Sequence, residues 1–123
     1  MNPVKREWHR FVHRCIWSWA GWRSAWASEP SLKFWTTVVA ISSVLALVLP
    51  LNFAERTVIL PLGVLVLAAE LMNTALERAV DYISIEQDDR AGRAKDAGSA
   101  AVALTAIAGG IAWAVILWRL VAG

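Results

Sequence analysis

The chain has 123 residues, 58% of them hydrophobic and 18% charged, with a formal net charge of +2. That apolar share exceeds the about 45–50% typical of a soluble domain and excludes a disordered, highly charged chain. The basic residues are scattered among aromatics and carboxylates with no groove-tracking pattern, which argues against nucleic acid as a partner. Cys15 is the only cysteine, which excludes a disulfide framework and a thiolate metal cluster and reads as a free buried thiol.

Residues 4–28 form the first predicted helix. Trp8, Val12, Cys15, Trp19, Trp22 and Trp26 recur at steps of four and three and make one narrow apolar stripe. Arg6, Arg10, His13, Arg14 and Ser24 lie across from it, the pattern of an amphipathic helix lying in a membrane interface. The plainer reading is an amphipathic helix packed on its own protein. Trp17 falls on the basic face, where it suits either stacking on a base or a second packing surface.

Ser28-Glu29-Pro30-Ser31 is a break that sets Glu29 at a corner, because Pro30 ends one helix or opens the next. The second helix is expected over about 32–51; Phe34 to Ala54 carries no charge over 21 residues, enough to cross a bilayer. No cleavable signal peptide is expected, since the first long apolar run starts near residue 34.

A third helix is expected over 56–83, and its polar half is the most informative stretch of the chain. After Arg56 only 13 uncharged residues precede Glu70. At about 100° per residue, Glu70, Asn73, Glu77 and Asp81 fall within an arc of roughly 80°. Carboxylates on a membrane helix are costly unless paired, hydrated or bound to a cation, so this face reads as functional. From Ser84 to Lys95 the composition turns polar, either a short loop or two helices meeting at a turn.

The fourth helix is expected over 92–121. Ala97 to Trp118 is uncharged over 22 residues, and Gly98, Ala101, Thr105, Ala106, Gly109, Gly110 and Ala112 allow close helix approach. Trp113 and Trp118 read as anchors of its far end. The architecture expected is thus an all-α membrane protein, one domain over residues 1–123, with an N-terminal interfacial helix and three spans. Lys and Arg cluster before the first span and between the second and third, which puts the N-terminus and that loop in the cytoplasm and the C-terminus outside.

No phosphate-cradling glycine loop or kinase catalytic loop is present. His9 and His13 have i, i+4 spacing but no third ligand nearby. What remains is carboxylates, an amide and Lys95. Hard cations such as Mg²⁺ take carboxylate oxygens and share them with substrate phosphates, so this set suits magnesium-assisted phosphoryl transfer. A buried polar stripe that only specifies helix assembly fits the residues equally well.

Glu70-Leu-Met-Asn73-Thr-Ala-Leu-Glu77-Arg-Ala-Val-Asp81, followed by Arg93-Ala94-Lys95-Asp96-Ala97-Gly98-Ser99-Ala100-Ala101-Val102, closely resembles the prokaryotic membrane diacylglycerol kinase family. Gly21-Trp22-Arg23-Ser24-Ala25-Trp26 and Glu29 extend the resemblance over nearly the whole chain. It implies a homotrimeric inner-membrane enzyme, its sites shared between protomers, that moves the γ-phosphate of Mg-ATP onto diacylglycerol to make phosphatidic acid. It further implies Glu70 as general base, Glu29 and Glu77 as metal ligands, Asn73 as the group orienting the reactants, and Lys95 and Asp96 at the nucleotide. Arg10, Trp17 and Glu86 match nucleotide-contacting positions, Trp17 standing where the family commonly has Tyr. Arg23, Ser24, Ala25, Trp26, Ser99 and Trp113, with Glu70, are implied around the lipid, and Asp81 in a supporting role. The spacing is compatible with these roles: Glu70 lies about 10 Å deeper than Glu77 along the helix, the right order for a lipid hydroxyl inside and a nucleotide outside.

Two positions depart from the family pattern. Trp35 replaces an expected Glu near the lipid headgroup, and Asp88 stands where His is common after Glu86. The rival functions are undecaprenol kinase, a small multidrug exporter and a structural membrane subunit. The Trp-rich first helix and Gly21-x-Arg23-x-Ala25-Trp26 favour the diacylglycerol branch, and the Ala94-Lys95-Asp96-x-Gly98-Ser99-Ala100 block disfavours an exporter.

Overall fold

The computed structural model describes residues 2–83 and 85–123; Ser84 lies outside the described residues. Four helices follow in order: α1 (Pro3–Ser28), α2 (Pro30–Val48), α3 (Phe53–Ile83) and α4 (Asp89–Ala122). The last three are each long and apolar enough to cross a membrane.

The helix ends follow from caps and prolines. The Asn2 side chain accepts from the Val4 amide at 3.0 Å, and Pro3, which has no N–H to leave unsatisfied, opens α1. Glu29 precedes a proline and is therefore extended (φ −114°, ψ 102°), so the expected break shrinks to this single residue. Pro30 occupies the first position of α2, which starts earlier than residue 32. Pro50 likewise holds Leu49 extended (φ −75°, ψ 156°) and stops α2 at Val48, short of residue 51. Asn52 and Glu55 then cap each other, each backbone amide donating to the other's side chain at 2.9 Å, so α3 begins at Phe53 rather than 56.

Asp88 caps α4: its carboxylate accepts from the Arg90 amide at 2.7 Å and pairs with the Arg90 guanidinium at 3.2 Å. The polar connection is thus a short loop, and one position that departs from the family pattern has a structural task. The Arg90 side chain, then its backbone amide, hold the Asp88 carboxyl below its ordinary value of 3.8. The cap is therefore fully present above that value and is lost as pH falls through the lowered one. Asp88→Ala is expected to speed hydrogen exchange at the amides of residues 90–92 at neutral pH, and acidification of the unaltered protein should do the same.

α1 docks on the bundle only through its C-terminal end, where Ala25 is 1% exposed. Cys15 is exposed, not buried as its sequence context implied, because none of the described residues covers the middle of α1. The stripe residues Trp8 and Trp19 are likewise exposed. α3 and α4 pack side by side as antiparallel neighbours, with α2 against α3. At the turn between α2 and α3, Ala46, Leu51, Ile59 and Ile116 form a small apolar core. Above it Arg56 donates to the carbonyls of Ala46 (2.9 Å) and Leu49 (3.2 Å). Arg119 forks onto both Glu55 carboxylate oxygens and reaches the Pro50 carbonyl at 3.2 Å.

Helix lengths set the depth of the polar face. α2 has 19 residues, about 28 Å, close to the about 30 Å of a hydrocarbon core. α3 has 31 residues and α4 has 34, about 46 and 51 Å. Because α2 and α3 share a short turn at one end, the excess projects past the first turn of α2 at the other.

Candidate active site

The projecting part of α3 carries the acidic face. Glu70 is 4% exposed and Thr74, one turn on, is 3% exposed; Asn73 and Glu77 are half-buried and Asp81 is exposed. The Ser31 hydroxyl, in the first turn of α2, donates to Oε1 of Glu70. Glu70 therefore sits level with the start of α2, about 26 Å along α3 from Phe53, at the edge of the apolar slab rather than deep within it. The seven residues to Glu77 add about 10 Å toward the polar end.

The corner between α1 and α2 crosses this face. Arg78 donates to the hydroxyls of Ser24 (3.1 Å) and Ser28 (2.8 Å) on α1, while Ser31 holds Glu70. These anchors are eight residues apart on α3, about 12 Å, and half-buried Glu29 lies between them in sequence. The corner thus carries Glu29 against the stretch of α3 that bears Asn73 and Glu77. Neither Ser31 nor Arg78 stood out in the sequence. The i, i+4 pair Ser24 and Ser28, facing a cation beside Glu77, was the one available signal.

α4 closes the other side. Asn73 donates from Nδ2 to Glu77 at 3.4 Å, and its Oδ1 is buried without a hydrogen-bond partner. A Cβ on Gly98 would collide with that Oδ1, so glycine here lets α4 approach the amide. Lys95 donates to Asp81 at 2.6 Å, and both ends of the pair are more than a third exposed. Such a pair adds little stability and exchanges partners readily. Beyond it lies a cleft of about 780 Å³ lined by Asp81, Glu86, Asp88, Arg93, Lys95 and Asp96, within the range of about 300–1,000 Å³ usual for small-molecule sites. Ser99 is exposed on α4 next to Gly98.

Other expected site residues lie elsewhere in the chain. Arg10 pairs with Glu7 at 2.8 Å, and Trp17 is exposed with its ring 5.8 Å from that of His13, both on the stretch of α1 that leaves the bundle. Arg23 and Trp26 are exposed on the last turns of α1, whereas Ala25 is packed inside and serves close helix approach. Trp113 donates to Ser42 at 2.8 Å, 15 residues from Gly98 or about 22 Å along α4. Trp35 stands with Val39, Gly63 and Trp113 around an apolar cavity of about 220 Å³ between α2, α3 and α4. Where the family pattern has a carboxylate, this chain therefore presents an apolar wall.

Among the described residues no group of three or more His, Cys, Asp or Glu is arranged to hold a metal. The carboxylate of Glu77, with that of Glu29 on the corner crossing this face, nevertheless suits a hard cation that completes its shell with water and substrate phosphate.

Fold and site together define a multi-pass helical membrane protein with an acidic site where its bundle meets water. The family model for prokaryotic diacylglycerol kinase matches residues 16–117. The chain is 35% identical over 109 residues to a diacylglycerol kinase of Escherichia coli K12, covering 89% of each chain. It is 34% identical over 110 residues to one of Pseudomonas aeruginosa, covering 88% of each. With one of Haemophilus influenzae it shares 34% identity over 107 residues, 87% of this chain and 91% of that one. The chain belongs to the prokaryotic diacylglycerol kinase family, and its activity is that of a kinase.

Proposed function

We propose that this single-domain protein transfers the γ-phosphate of ATP to the free hydroxyl of diacylglycerol, forming phosphatidic acid for membrane phospholipid recycling. The observation that carries this reading is the depth order of two carboxylates on one helix face. Glu70 is buried level with the start of α2, where a lipid hydroxyl lies, and Glu77 is half-buried about 10 Å nearer water, where a nucleotide arrives.

In this reading Glu70 takes the proton of the acceptor hydroxyl as it attacks the γ-phosphorus, and the leaving group is ADP. Asn73 orients the reacting groups from beside Glu77. Glu77 and Glu29 would hold Mg²⁺, which when bound neutralises phosphate charge. Lys95 exchanges Asp81 for a phosphate, and Asp96 and Glu86 line the nucleotide's cleft. Arg23, Ser24 and Trp26 on the last turns of α1 and Ser99 on α4 are assigned to the lipid. Ala25 seats the end of α1 that carries them, and Trp113 bounds the lipid's tails.

A homotrimer with shared sites accounts for Arg10 and Trp17, which lie far from the carboxylates of their own chain and would serve a neighbour's nucleotide. The exposed tryptophans of α1 suit a helix at the membrane interface. The distribution of Lys and Arg supports an orientation with the acidic site on the cytoplasmic side of the bacterial inner membrane and the C-terminus periplasmic.

The test is to incubate the purified protein in mixed micelles with labelled ATP and either diacylglycerol or undecaprenol. Labelled phosphatidic acid is expected. Labelled undecaprenyl phosphate alone would move the assignment to the other lipid alcohol, and no lipid product with either would end the kinase reading for these residues.

A further inference from the structure

The Ser31–Glu70 contact has an origin in the helix start itself. Ser and Thr hydroxyls inside helices usually bond back to the carbonyl four residues earlier. In this chain Ser18, Ser28, Thr36, Thr37, Thr57 and Thr105 all do so, at 2.7–3.1 Å. Ser31 is the second residue of α2, and the residue four before it belongs to α1, across the extended Glu29. No carbonyl of its own helix is in place to accept, so the hydroxyl is free to reach out. It reaches 39 residues along the chain to Glu70 and is the hydrogen-bond partner of that carboxylate among the described residues.

Two further features favour this arrangement. A carboxylate 4% exposed is costly without a donor, and a hydrogen bond to a charged group is among the stronger ones a protein makes. Glu70 also meets the N-terminal turn of α2, the end of that helix that carries partial positive charge. Pro30 fixes the start of that turn and so fixes where the Ser31 hydroxyl stands.

We propose that Ser31 is a positioning residue for the transfer reaction: its hydroxyl engages Oε1 of Glu70 and turns Oε2 toward the acceptor hydroxyl. This rests on Glu70 being the base. Ser31 does not touch the reacting atoms; it removes the rotational freedom that an unpartnered carboxylate would have, which is how a supporting group preserves reactive geometry.

The experiment compares Ser31→Thr with Ser31→Val, two side chains of the same shape that differ in the hydroxyl, alongside Glu70→Gln. Each is assayed in mixed micelles with diacylglycerol, and helicity is checked by circular dichroism. Ser31→Val should lose roughly tenfold or more in kcat while its KM for Mg-ATP stays within about twofold, and Ser31→Thr should recover most of the lost turnover. Ser31→Ala, which adds no bulk, should match Ser31→Val. Ser31→Val turning over like the unaltered protein while Glu70→Gln is inactive would overturn the positioning role alone. Equal losses in Ser31→Thr and Ser31→Val with an intact Ser31→Ala would also overturn it, since bulk and not the hydroxyl would then matter. An active Glu70→Gln would instead remove the base on which the proposal stands.

Discussion

Glu70→Gln is expected to abolish lipid phosphorylation while leaving Mg-ATP binding largely intact, whereas Glu77→Gln is expected to weaken Mg-ATP binding. Glutamine keeps the shape of Glu70 and can still accept from Ser31, so the packing of a 4% exposed site survives. What it loses is the capacity to take a proton, and general base catalysis contributes about 10²–10⁴-fold. At Glu77 the loss is of charge beside the phosphates. Titration of Mg-ATP by calorimetry, run beside turnover with diacylglycerol, separates the two. Normal affinity and normal turnover in Glu77→Gln would overturn the depth order.

Gly98→Ala is expected to lose tenfold or more in turnover with little change in melting temperature. The added methyl would occupy the place of Asn73 Oδ1, with Leu76 at 3.4 Å behind it. The amide can swing aside, so the helices stay packed. Alanine also gains about 0.8–1 kcal/mol in helix propensity over glycine, which offsets part of the displacement. The swing, however, breaks the 3.4 Å contact to Glu77 and withdraws the amide from the acidic face. Gly109, whose added Cβ would meet nothing within 4 Å, supplies the control: Gly109→Ala should raise the melting temperature and leave turnover unchanged. A Gly98→Ala protein with full turnover would mean that the position of Asn73 is unimportant to the reaction.

Much of this arrangement was legible because it is periodic or local. The stripe Glu70, Asn73, Glu77, Asp81 follows from helix geometry alone, and the corner at Glu29 follows from Pro30. The three apolar helices stand out by length and composition. Helix ends were displaced by up to three residues because reciprocal side-chain caps, as at Asn52 and Glu55, extend a helix beyond its apolar run. Ser31 and Arg78 were missed because their partners lie 39 to 54 residues away, and no local pattern encodes such a pairing. Cys15 was misread for a different reason. A stripe at helical spacing points to an apolar face but not to what covers it, and none of the described residues covers Cys15.

The two ends of the bundle are fastened very differently. At the turn between α2 and α3, Arg56 and Arg119 tie three helices together through backbone carbonyls and a forked ion pair. At the acidic end the cross-links among the described residues include single hydroxyls and an exposed Lys95–Asp81 pair. The bundle is built like tweezers, riveted at the Arg119 end and fastened by weaker contacts at the tips. A two-tailed substrate arriving sideways from the leaflet would part the helices at those tips, beside Glu70, without disturbing the rivet.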